Sequence, residues 1–114
     1  SLARYLTTTK SFILGITRTK TKDMTAVDGT GYTFANRNHL VTHEFFLGGK
    51  TGFTDEAGET MLTIFDVPVG GGRVTSTLAI IVLGSGAREE DTKALLGWFR
   101  GAAVAVVAAD ASKR

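Results

Sequence analysis

Six consecutive apolar residues, Leu78-Ala79-Ile80-Ile81-Val82-Leu83, constrain this chain more than any other stretch. A short apolar run bounded by turn residues reads as a strand, and apolar character at both odd and even positions predicts burial on both faces, as inside a sheet. A strand so placed needs neighbours. Two further runs of strand character precede it, Phe45 to Thr54 and Glu59 to Val67, and the third strand extends from Arg73 to Leu83. Asp55 to Gly58 and Val69 to Gly72 carry the turn chemistry between them. The pattern predicts a three-stranded antiparallel meander.

After the meander the period changes. Glu89, Glu90 and Asp91 put negative charge in a first helical turn, where it complements the helix dipole. Leu95, Leu96, Trp98, Phe99, Ala102, Ala103 and Val106 then recur at helical spacing, predicting a helix of roughly Glu89 to Ala108 whose apolar stripe packs on the sheet. Upstream, Ser1 to Leu6 has the character of a helix end and Ser11 to Lys22 alternates like a strand. Gly29 to Gly31 breaks it, and Asn36 to His39 forms a polar loop, since asparagines bond their own backbone. The expected class is mixed α/β (α+β), with antiparallel strands and a C-terminal helix.

Composition narrows the function classes. A chain of 114 residues with 43% apolar and 21% charged residues fits one globular domain. Its net charge of +2 is spread out, apart from Arg18, Lys20 and Lys22, which alternate with threonines as one solvated strand face, so a nucleic-acid partner gains no support. With no cysteine there is neither a disulfide framework nor a thiolate metal site. His39 and His43 are four apart but fall between loop and strand with no third ligand, which reads as solvated histidine, with no metal or cofactor called for. The apolar run Ala102 to Ala109 is too short to span a bilayer and reads as a helix end. No signal peptide is present, and an opening Ser1 in place of methionine is compatible with an upstream part removed by processing or truncation.

Gly48 to Thr54 reads GGKTGFT, which invites comparison with a phosphate cradle. The P-loop spacing G-x-x-x-x-G-K-[ST] requires a glycine five residues before Gly49, and Glu44 stands there. Beyond Gly52 come a strand end and a turn, so the nucleotide reading fails. The same residues fit another pattern. Gly49-Lys50-Thr51-Gly52-Phe53-Thr54-Asp55-Glu56-Ala57-Gly58, preceded by Gly48, resembles the G-x-K-T-G-x-T-x-x-A-G of low-molecular-mass carboxypeptidases among the penicillin-recognising acyl-serine enzymes, whose wider signature is K-T-G. Asn36-Arg37-Asn38-His39-Leu40 is similar to the N-x-N-x-L of their low-molecular-mass D-alanyl-D-alanine carboxypeptidases. Val82-Leu83-Gly84, Arg88 and Lys93 to Trp98 resemble the strand and helix that close that catalytic domain. The resemblance covers nearly the whole chain and is poorest from Thr17 to Thr33.

The resemblance implies residues 1–114 as the C-terminal segment of a β-lactamase/transpeptidase-like catalytic domain. It implies that Lys50 contributes positive potential and proton-network contacts, that Thr51 and Thr54 offer hydroxyls to substrate, and that Gly52 keeps the cleft wall clear. The backbone N–H of Phe53 would form half of an oxyanion hole, a fixed donor of the kind worth about 3 kcal/mol. Arg88 either approaches the terminal carboxylate of a substrate, as the resemblance implies, or pairs with the adjacent Glu89, Glu90 and Asp91. The Asn36 to Asn38 pair reads as a structural loop clamp. The family's S-x-x-K nucleophile and S-x-N are absent, since none of Ser1, Ser11, Ser76, Ser85 and Ser112 has lysine at the third following position or asparagine at the second. The expected partners are therefore the missing N-terminal segment of the same enzyme, as part of one protein or a separate chain, and a peptidoglycan peptide or β-lactam. In that family the last strand pairs with the first, so Ser76 to Leu83 would otherwise leave a hydrophobic edge that invites self-association into a homo-oligomer. The family works outside the cytoplasmic membrane of bacteria, in the periplasm or its equivalent. A non-catalytic binding or assembly module on the same scaffold is the alternative.

Overall fold

The computed structural model describes residues 1–113. It is an α+β arrangement: helices α1 (Leu2–Thr8) and α2 (Ser11–Thr17), a hairpin of β1 (Thr21–Thr25) and β2 (Gly31–Ala35), a 3₁₀ turn at His39–Thr42, then strands β3 (Phe46–Thr54), β4 (Gly58–Val69) and β5 (Val74–Ser85), and finally helix α3 (Arg88–Ala111). The three later strands form the expected antiparallel meander in the order β3-β4-β5. Gly58 and Gly70 to Gly72, all at positive φ, make the two turns that the strands require.

The central strand β4 divides the core by the alternation of its side chains. Met61, Phe65 and Val67 face α3 and join Ile80, Val82 and Leu96 with Leu40 and Phe46 in one buried cluster. Ile64 faces the other way, onto Ala3 and Leu14 of the first two helices. The sheet thus has a helical layer on each face, and the layers do not match in extent. The pair α1–α2 covers β3 and β4 but leaves much of β5 bare.

Three expectations change. The apolar run of β5 is not buried on both faces: Ile80 and Val82 are buried, whereas Ile81 and Leu83 are 58% and 76% exposed, and β5 is an edge strand with a neighbour on one side only. Ser11 to Lys22 is not a strand. Its first seven residues form α2, because Leu14 packs against Gly48, where a Cβ would stand 2.9 Å from that of Leu14, and tertiary contact overrides the strand preference of Ile and Thr. Only Thr21 and Lys22 belong to a strand, β1, and the poorly matching Thr17 to Thr33 stretch contains most of a protruding hairpin with every strand residue exposed. Its turn is set by Gly29 at φ +87° and by Asp28, whose carboxylate accepts from the Thr30 N–H at 2.9 Å.

The third change concerns α3, which is longer than the predicted helix and buries less of it. Thr92 and Leu96 are buried and Phe99 half-buried, one stripe at helical spacing. Leu95 and Trp98 lie off that stripe and are exposed, Trp98 by 72%, and Val106, on the stripe two turns beyond Phe99, is exposed as well. Leu95 and Trp98 instead border an apolar groove along the open edge of β5, with Leu78 and Ile81 on its other side. Ala102 to Ala109 is a helix end as expected. The full 24 residues, however, are long and apolar enough to cross a bilayer by length and composition, while the first half of the helix packs on the sheet.

Candidate functional site

A groove of about 850 Å³ runs along the free edge of β3. Lys50, Thr51, Gly52 and Phe53 form one wall; Asn36, Arg37 and His39 form another, with Glu59 and Arg88 at the end. Five of the six residues expected at a site, Lys50, Thr51, Gly52, Phe53 and Arg88, meet here. Thr54 is outside the lining, and its hydroxyl accepts the Ala57 N–H at 3.0 Å, which commits it to the β3–β4 turn.

Strand β3 reaches this position because α2 and the asparagine loop hold it. The Gly49 N–H donates to the Thr17 hydroxyl at 3.1 Å, and that hydroxyl donates to the Leu14 carbonyl at 2.9 Å. Gly49 therefore points its amide away from β4. Backbone direction alternates along a strand, so the N–H groups of Thr51 and Phe53 face the same free edge. The Lys50 ammonium bends along the strand to donate to the Thr51 carbonyl.

The loop wall is tied to the same elements. Asn36 donates through its amide to the carbonyls of Thr17 at 2.8 Å and Thr19 at 3.0 Å, and its side-chain oxygen accepts the Asn38 N–H at 3.0 Å. Asn38, buried, caps the 3₁₀ turn by accepting the Leu40 N–H at 3.0 Å. These asparagines act as the loop clamp that the sequence suggests. His39 is fastened to α3, with its N–H and its Nδ1 each 3.2 Å from an oxygen of Glu89. His43 packs instead against Phe45 and Phe65, so the two histidines do not converge. Among the described residues no group of three or more His, Cys, Asp or Glu side chains is placed to hold a metal ion.

Arg88 does not pair with the acidic residues that follow it in the chain. Its Nη1 donates to the Gly52 carbonyl at 3.1 Å and lies 4.0 Å from Glu59 Oε1, while its backbone N–H donates to Glu59 Oε2 at 3.1 Å. Of its acidic neighbours along the chain, Glu89 holds His39 and Asp91 accepts the Ser85 hydroxyl at 2.6 Å. Glu59 is the groove residue that no sequence motif marks. A signal for it existed: a turn at Asp55 to Gly58 sets Thr54 opposite Gly58 and hence Phe53 opposite Glu59, which is the observed register. Arg37, Lys50 and Arg88 together make the groove cationic, with Glu59 as the carboxylate in its lining. Such a groove suits an extended, anionic ligand laid along a strand edge.

Compared with solved structures, the chain is similar to a penicillin-binding protein homologue from Mycobacterium tuberculosis, with 25% sequence identity and a TM-score of 0.49. The match covers 61% of this chain and 24% of that one, so it spans about a quarter of the neighbour's length. No protein-family model matches the chain, and no curated protein matches it significantly.

Proposed function

We propose that residues 1–114 are the C-terminal part of the catalytic domain of a serine-type D-alanyl-D-alanine carboxypeptidase, with the β-lactamase/transpeptidase-like fold. The observation that carries this reading is the position of Lys50-Thr51-Gly52-Phe53: the signature lies on an edge strand whose unpaired amides border a cationic groove. A peptide stem of peptidoglycan lies along β3 as an added strand, held by main-chain hydrogen bonds. The Phe53 N–H meets the oxygen that becomes negative during acyl transfer, and Lys50 raises the positive potential beside the nucleophile. Arg37 and Arg88 draw in the terminal carboxylate.

The serine and its lysine come from a segment outside these residues, and that segment completes the sheet. It adds a strand to the open edge of β5 and fills the apolar groove beside Trp98 and Leu95. The proposed location is outside the cytoplasmic membrane of a bacterium, where peptidoglycan is found.

The test is an intact-mass spectrum of the whole protein before and after incubation with a penicillin. Gain of one penicillin mass on a polypeptide carrying S-x-x-K, with none on residues 1–114 after cleavage at their boundary, supports the reading. Absence of any adduct overturns the acyl-serine mechanism and leaves a binding or assembly module on this scaffold.

A further inference from the structure

We infer that Glu59 is a built-in competitor for Arg88 and sets how tightly the groove holds a ligand carboxylate. This rests on the reading of the groove as the seat of a peptide that ends in a free carboxylate.

The geometry is specific. Glu59 Oε2 is tied down by the Arg88 backbone N–H at 3.1 Å, which leaves Oε1 at 4.0 Å from Nη1, the outer limit of an ion pair. Both side chains are partly withdrawn from water, at 18% exposure for Arg88 and 34% for Glu59, so their charges act on each other with partial screening. A guanidinium carries five N–H donors, and a carboxylate that matched it would take two of them in parallel. Glu59 cannot do this, because one of its oxygens serves the start of α3. It therefore cancels much of the charge of Arg88 without occupying its donors. The Gly52 carbonyl holds the guanidinium against β3 from the other side.

The consequence is a site that admits a carboxylate and releases it readily. An incoming carboxylate finds donors free and the attraction reduced by the glutamate. Neutralising Glu59 restores that attraction, and a ligand without charge at the same position is indifferent to it. Glu59→Gln is suited to the test because the amide oxygen still accepts the Arg88 N–H.

The experiment compares two peptides on the intact protein by titration calorimetry: a tripeptide ending in D-alanyl-D-alanine with its free carboxylate, and the same tripeptide as its C-terminal amide. The Glu59→Gln variant is expected to bind the carboxylate form about tenfold more tightly than the unsubstituted protein, as expected for removing a like charge at close range in a partly shielded site. The amide form is expected to bind both alike. An unchanged or weaker carboxylate affinity, an equal shift for both peptides, or no binding of either peptide overturns the inference. Should the Gln variant fail to fold, Glu59→Thr removes the same charge with a residue suited to a strand, and the same ratio is read. Penicillin uptake is measured in parallel. A protein that takes up penicillin but shows no change in carboxylate preference keeps the peptidase reading and loses this one; a tenfold gain without penicillin uptake does the reverse.

Discussion

At Gly52 a methyl group would stand 2.5 Å from the Thr60 hydroxyl, a separation that real Cβ atoms do not tolerate. Gly52→Ala is expected to cost about 1–3 kcal/mol through overpacking. Removing the obstacle in Gly52→Ala/Thr60→Ala is expected to recover most of that loss, and urea unfolding of the single and double variants measures the coupling. A second residue-level effect concerns acid. The Thr30 backbone N–H, and after it the Thr30 side chain, holds the Asp28 carboxyl below its ordinary value. A lowered value in the folded state contributes stability that is present above the unfolded value and lost as pH falls through the folded one. The Thr30 amide resonance is therefore expected to stay constant above about pH 5 and to move only as pH drops below the usual aspartate range. Lys50, Thr51, Gly52 and Phe53 are legible in the sequence because they are consecutive. Glu59 is not, because its meaning depends on which residue lies across the hairpin and on where Arg88 reaches.

Among the elements, α2 governs the groove from behind. Its Thr17 hydroxyl accepts the Gly49 N–H, and no glycine-strand contact with a helix is encoded by period or propensity. Thr17→Val keeps the shape and strands that amide, with an expected loss of about 1 kcal/mol for a part-buried donor. Thermal unfolding reads this directly, and an unchanged midpoint would mean that water replaces the hydroxyl. Asn36 plays the corresponding part for the β1–β2 hairpin, whose base it ties to Thr17 and Thr19. Asn36→Ala is expected to speed amide hydrogen exchange in β1 and β2 while leaving β4 protected. The meander is legible because its turns carry glycine at the positions where φ must be positive, and α3 because acidic residues precede its period. The α2 segment departs from its strand-like pattern for a physical reason: Ser, Phe, Ile, Gly and Thr fill six of its seven positions and have little helical preference of their own, and Gly48 supplies the space that makes the helix worthwhile.

Taken whole, the molecule measures 68 × 32 × 24 Å, and its three-stranded sheet is unevenly covered. The bare face and open edge of β5 are the largest departure from the expectation of a strand buried on both sides, which the sequence pattern describes correctly only for a sheet with more strands than these. Residues 1–114 produced alone are expected to self-associate, and a lysine at Ile81 or Leu83 is expected to shift them toward monomer, as charge on an edge strand discourages pairing. Light scattering across a concentration series decides this, and monomers at every concentration would mean that α3 shields the edge in solution.

The order β3-β4-β5 has a kinetic consequence as well. Both pairings join strands adjacent in the chain, so the sheet closes through two short loops, and hairpins of this kind zip in about 1–10 μs. Contacts between α2 and β3 span some thirty residues, as from Thr17 to Gly49, and their closure carries more chain entropy. The meander is thus suited to act as the early nucleus, onto which the N-terminal helices settle afterwards, so that the edge beside the groove takes its final form late in folding.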